Sequence, residues 1–157
     1  MTIRVISVGK TNIKYVKDGL DDYISRLKHY TKLSWQELPD IKKIDRTNRV
    51  LLTEKEGEAF LSVINSRETV ILLDDGGKAM DSIQFSEWIN QHQIYDQSYL
   101  VLVIGGAYGF SKSLVARSKG KVSLSKMTFN HQMVRLILAE QIYRAFTIIK
   151  GEPYHHS

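Results

Sequence analysis

The chain contains no cysteine, which removes disulfides, thiolate nucleophiles, Cys-ligated zinc and iron–sulfur clusters at once. Proline occurs only twice, and no Ser/Gly-rich stretch or internal repeat interrupts the chain, so no linker between domains is expected. No run approaches about 18 uninterrupted apolar residues, which argues against a membrane-spanning helix. The opening MTIRVISVGK has too short an apolar run, and no small-residue cleavage site, to be a signal peptide. The five histidines show no HxxxH or HExxH spacing, so no metal is expected. No G-x-S-x-G elbow is present either.

What is present is 157 residues, 43% of them apolar, 25% charged and 10% aromatic. That is one domain, 1–157, able to bury about two-thirds of its unfolded surface, and expected to be soluble and cytoplasmic. The net charge of +5 is uneven. Residues 1–110 carry 14 Lys+Arg against 15 Asp+Glu, whereas 111–157 carry eight against two. The whole excess therefore sits in the last third, where a basic face would attract a polyanion such as RNA. A solvated lysine-rich surface accounts for the same charge.

Apolar runs and helical spacings alternate along the chain. Strands are expected at Ile3–Val8, Leu33–Leu38, Thr69–Leu73, Tyr99–Ile104 and near 121–124. Helices are expected over 13–29, from Leu51 through Ile64, over 81–94, near 111–118 and over 130–149, with a polar loop at 40–49. The pattern is that of an α/β fold with a largely parallel sheet and helices on both faces. Ligands in such sheets bind beyond the strand C-terminal ends. Two glycine-bearing turns, Asp74-Asp75-Gly76-Gly77 and Gly105-Gly106-Ala107-Tyr108-Gly109, fall there. The paired acids of the first read as a solvated turn. The second lets backbone approach a ligand closely, but Ile104 stands where a dinucleotide fingerprint begins with glycine, and no Gly-Lys-Ser/Thr follows.

Three further stretches carry candidate chemistry. Ser123 through Thr128 is a hydroxyl-rich loop that can offer donors and acceptors to a nucleobase, leaving Thr128 or Asn130 to cap the next helix. On the last helix, Glu140 and Arg144 form an i,i+4 pair that explains Arg144, while Arg135 has no such acid and is free to meet a phosphate or carboxylate. That helix is apolar over most of its circumference, which calls for burial in the core and against a second subunit. The tail Pro153-Tyr154-His155-His156 joins a stacking aromatic to groups that titrate near neutrality, although chain ends usually fray.

Together, IGGAYGF at 104–110, LSKMTFNHQMVR at 124–135, EQIYRAF at 140–146 and PYH at 153–155 resemble the RlmH (YbeA-like) group of SPOUT methyltransferases over essentially the full length. The resemblance implies an α/β domain with a C-terminal trefoil knot, acting as a homodimer. It implies use of S-adenosylmethionine to methylate N3 of a pseudouridine in 23S rRNA of the assembled ribosome. Carried over by position, it puts cofactor contacts on Leu73, Gly105, Leu124, Ser125, Lys126, Met127, Thr128 and Phe129. It puts Tyr154 and His155 beside the transferred methyl, His155 as candidate base, with Arg135 and Lys126 steering the RNA. The chain departs from the family at His156, where Lys or Arg is usual, and at Asn130, where proline is common; the latter is expected to alter loop rigidity and not chemistry. Two other classes fit the residues less well. A non-catalytic rRNA-binding or ribosome-assembly protein would use the basic third alone. A Rossmann-type oxidoreductase lacks both its first glycine and a ribose-binding acid after the second strand.

Overall fold

Leu100–Ile104 is a run of five consecutive apolar residues, four of them fully or almost fully shielded, and it belongs in the middle of a sheet covered on both faces. The computed structural model places it there. The structure describes residues 1–95 and 99–156, with the element order β1 (Thr2–Val8), α1 (Lys14–Leu27), β2 (Lys32–Leu38), α2 (Arg49–Val63), β3 (Thr69–Ala79), α3 (Ser82–Tyr95), β4 (Leu100–Ile104), α4 (Lys112–Arg117), β5 (Gly120–Ser123) and α5 (Met133–Ile149). The strands form one sheet in the order β2-β1-β4-β3-β5, every described pair parallel.

The two-residue period of the strands divides the core. Leu100, Leu102 and Ile104 join Ile3, Val5 and Ile71 under Phe85, Ile89, Leu138, Ile142 and Phe146 of α3 and α5. Val101 and Val103 join Ile6, Val70 and Leu72 under Phe60 of α2 and Leu114 of α4. Thus α3 and α5, with α1 packed on α5, cover one face, and α2 and α4 the other. The chain leaving β4 turns to the opposite face from the chains leaving its neighbours β1 and β3, so the loops diverge and a crevice opens above β4.

Two boundaries differ from expectation. Asp74–Gly77 does not close β3: the strand pairs with β5 through Leu73, shifts register, and pairs again at Lys78 and Ala79. The acids and glycines form an irregularity within an edge pairing, which leaves Asp75 beside the crevice. Helix α5 starts at Met133, after its N-cap Gln132, and Asn130 just ahead of it accepts from the backbone N–H groups of Gln132 (3.0 Å) and Met133 (2.8 Å). No helix among the described residues is long and apolar enough to cross a membrane.

Candidate functional site

The pairing of β3 with β4 ends at Leu73 against Ile104, and the chain beyond each flanks a cleft of about 410 Å³. Its third wall is the segment after β5. Leu73, Gly105, Leu124, Ser125, Met127, Thr128 and Phe129 all line it, so the structure gathers these candidates around one space. Lys126 is the member of that segment left out: it is exposed and does not line the cleft.

The floor of the cleft requires glycine. A Cβ on Gly105 would stand 2.7 Å from the Phe110 ring, and one on Gly106 would stand 2.4 Å from a Glu56 carboxylate oxygen. With no side chains there, a ligand meets backbone. The wall at 123–129 is braced by its own hydroxyls, Ser123 Oγ donating to the Ser125 carbonyl (2.7 Å) and the Met127 N–H donating to Ser125 Oγ (3.0 Å). Across the cleft, the Thr128 hydroxyl donates to Asp75 Oδ2 at 3.1 Å. Apolar Leu73, Leu124 and Phe129 beside bare backbone and hydroxyls, in a space of this size, fit a small ligand with one flat apolar part and several polar edges, as an adenosine-bearing cofactor has.

Sequence reasoning missed Asp75 and Glu56. Asp75 is as exposed as a solvated turn acid should be, but the irregular β3–β5 pairing sets it on the rim of the cleft. Glu56 is 7% exposed, and its carboxylate rests against Gly106. Burial pushes its pKa up, opposed by Arg46 and reinforced by Asp40. No local pattern on an otherwise ordinary helix announces such a residue.

Arg135 corrects an expectation. It is 1% exposed and reaches no solvent-borne phosphate. Its guanidinium donates to the carbonyls of Val8 (2.8 Å), Gly9 (2.9 Å) and His131 (3.0 Å) and to Thr11 Oγ1 (2.9 Å). It bolts the start of α5 to the loop after β1. Gln132, next to it, accepts from Asn12 N–H and donates to the Lys10 carbonyl, each at 3.0 Å. Burial lowers the pKa of Arg135, with Glu37 and Asp40 opposing. Lacking an i,i+4 acid did not leave Arg135 free, because backbone carbonyls take its donors.

Tyr154 and His155 do not line the cleft. They lie against the second half of α5, where Arg144 is ten residues, or about 15 Å of helix, beyond cleft-lining Val134. The tail is ordered there as far as it is described; Ser157 lies outside the described residues. Glu140 Oε1 accepts from Arg144 Nε (2.9 Å) and from the Tyr154 hydroxyl (3.2 Å), and the Arg144 guanidinium sits 4.8 Å over the Tyr154 ring. Burial and then the Tyr23 hydroxyl, 3.3 Å away, raise the Tyr154 pKa and keep it a neutral phenol. Tyr30, hydrogen-bonded to Glu152, is likewise pushed up, to about 12. Arg144 Nη1 lies 3.1 Å from His155 Nδ1. A guanidinium has no acceptor, so Nδ1 must accept, and the ring hydrogen is on Nε2. His155 is therefore set up in this chain to donate from Nε2, a different role from the base expected of it.

A parallel α/β sheet with a glycine-floored cleft walled by the segment entering its last helix has a known counterpart. The family described as "Predicted SPOUT methyltransferase" matches residues 1–155, and the chain belongs to that family. Among its relatives, the ribosomal RNA large subunit methyltransferase H of Flavobacterium johnsoniae is 46% identical over 156 residues, 99% of each chain. The protein of the same name from Christiangramia forsetii matches it in identity and coverage, and that from Enterococcus faecalis is 42% identical over 158 residues, again 99% of each chain.

Proposed function

We propose that this chain is an S-adenosylmethionine-dependent methyltransferase of 23S rRNA, a single cytoplasmic domain working as a homodimer on N3 of a pseudouridine in the assembled ribosome. The observation that carries the reading is the cleft at the ends of β3 and β4, in a chain 46% identical to proteins named as large-subunit rRNA methyltransferases. Bound there, S-adenosylmethionine supplies an electrophilic methyl group.

The chain's own residues do the rest. Leu73, Leu124 and Phe129 hold the flat part of the cofactor, while the backbone at Gly105 and from Ser125 to Thr128 reads its polar edges. Asp75 and Thr128 latch the two walls. Because the reagent is already reactive, alignment of N3 is the main task. Tyr154, neutral and packed on Arg144, stacks on the target base. His155 Nε2–H would donate to a base carbonyl and so stabilise the negative charge left on the ring as N3 gives up its proton to water. Exposed Lys126 meets the RNA backbone.

A second copy would fit this geometry. One chain carries the cleft and the tail on different parts of α5, and a partner whose tail reaches this cleft completes the site. A stripe of half-buried residues on α5, Met133, Ile137, Glu140, Arg144 and Ile148, recurs at helical spacing and gives such a partner a face to cover. A trefoil knot suits the path of 124–132, which leaves edge strand β5, crosses the ends of β3 and β4, and is fastened by Gln132 to the loop after β1.

The test is calorimetric titration with S-adenosylmethionine, followed by transfer of labelled methyl to 70S ribosomes and nucleoside analysis of the 23S rRNA. Saturable binding and a labelled N3-methylpseudouridine are expected. RNA binding without cofactor binding would instead mark a non-catalytic ribosome-assembly protein.

A further inference from the structure

On the far side of the 106–110 turn lies a second groove, of about 910 Å³, between that turn and α2. It shares a wall with the cofactor cleft, since Ala107 and Phe110 line both. Its floor carries Tyr108, 42% exposed, with the Arg49 guanidinium 4.7 Å from the ring centroid. Arg49, Thr53, Glu54 and Glu58 project along one wall from α2, and Lys112 stands on the other.

We propose that this groove holds one unpaired nucleobase of the rRNA strand, adjacent to the nucleotide being methylated and bearing an exocyclic amino group, so A, C or G in preference to U. The inference rests on the reading of the chain as an rRNA methyltransferase. Three features carry it. An aromatic ring backed by a guanidinium is a stacking platform for any base, since Arg adds its own attraction for π faces. The α2 wall offers carboxylates, which accept hydrogen bonds from amino groups and repel phosphate. Glu58 is already approached by Lys55 at 3.4 Å, which leaves Glu54 the freer acceptor. That wall turns the base inward, and the phosphate to the side of Lys112. The shared wall sets the order: a strand whose target base enters the cleft crosses the 106–110 turn that separates the two spaces, and its neighbour arrives at Tyr108.

The test compares Tyr108→Ala, Tyr108→Phe and Arg49→Ala in two assays, after calorimetry has established cofactor affinity for each. In steady-state methylation of ribosomes, Tyr108→Ala and Arg49→Ala are expected to raise KM about tenfold with kcat held within about twofold, the loss of one stacked base, while Tyr108→Phe stays at the wild-type value. In direct titration of short oligoribonucleotides, oligo-A and oligo-C are expected to bind more tightly than oligo-U, with the preference lost in Tyr108→Ala and in Glu54→Gln. If Tyr108→Ala disturbs cofactor binding, Arg49→Ala, on α2 and outside the cleft, decides the kinetic arm. Unchanged KM in Arg49→Ala together with no base preference overturns the proposal. So does impaired use of ribosomes with unimpaired oligonucleotide binding, which would mean that the groove docks a protein. A wild-type protein that fails to methylate ribosomes yet keeps the base preference would defeat the methyltransferase reading and leave the groove's assignment standing.

Discussion

Two arginines on α5, nine residues apart, behave in opposite ways. Arg135 is buried and its donors end on main-chain oxygens of two loops, so it holds the fold around the cleft. Arg144 is partly exposed and pairs with Glu140, Tyr154 and His155, so it holds the tail. Spacing along the helix finds the Glu140–Arg144 pair correctly, but it is silent on which arginine faces inward. An acid four residues away identifies a partner; the lack of one does not make a side chain free. The two ends of α5 also differ: the first turn lines the cleft through Val134, and the last turns carry the tail away from it.

The largest effect expected is that of Arg135→Ala. Three carbonyls and a hydroxyl lose their donor in a buried place, so a loss of about 3–5 kcal/mol in urea unfolding is expected, and Arg135→Lys recovers little because one ammonium cannot span those acceptors. A variant with wild-type stability and weakened RNA binding would reverse the contrast drawn above. Next come the glycines. Gly105→Val drives a branched side chain into Phe110 and is expected to weaken cofactor binding by about tenfold or more in calorimetry. Gly106→Ala collides with Glu56 in the same way, and adding Glu56→Ala to it should return part of the affinity.

Arg144→Ala should lower stability by about 1–2 kcal/mol, since its ion pair with Glu140 is only partly solvated and also holds the tail, and should lower turnover by about tenfold or more, because His155 loses the donor that fixes its tautomer. Cofactor binding by each cleft should be retained. The smallest effect concerns Glu56. Its pKa is raised in the folded chain, so the native state holds a proton that the unfolded chain has already lost, and stability falls as pH rises from the ordinary glutamate value through the raised one. Glu56→Gln removes that dependence: above this window it should raise stability by under about 1 kcal/mol, and below it make no difference, as read from urea midpoints across pH.

Much of the fold was legible because β-branched apolar runs and 3.6-residue spacings are local signals. The five strands and five helices fall where those signals are, and the turns after Leu73 and Ile104 do flank the cleft. What was not legible is non-local. The order of strands in the sheet, the register shift that sets Asp75 on the cleft rim, and the burial of Arg135 against backbone 126 residues away leave no mark on their neighbours in sequence. For the site, the resemblance singled out the 124–129 segment as a unit, whereas the structure separates Lys126, which points to solvent, from the lining residues on either side of it. The tail was legible as chemistry but not as a place. Nothing in Pro153-Tyr154-His155 says that it folds back on Tyr23 and Tyr143 instead of reaching the cleft of its own chain.

The central claim is that the cleft of one chain works with the tail of another, and mixed dimers test it most directly. Gly105→Val spoils the cleft and leaves the tail; His155→Ala spoils the tail and leaves the cleft; with S-adenosylmethionine held below the wild-type Kd, each is expected to keep about a tenth or less of the activity as a homodimer. Dissociated, mixed in equal amounts and reassociated, half of the dimers are hybrids, each with one intact cleft facing one intact tail. Methyl transfer to ribosomes should then return to about a quarter of the wild-type rate. A mixture as inactive as its two components would contradict the account, because it would mean that each tail serves the cleft of its own chain.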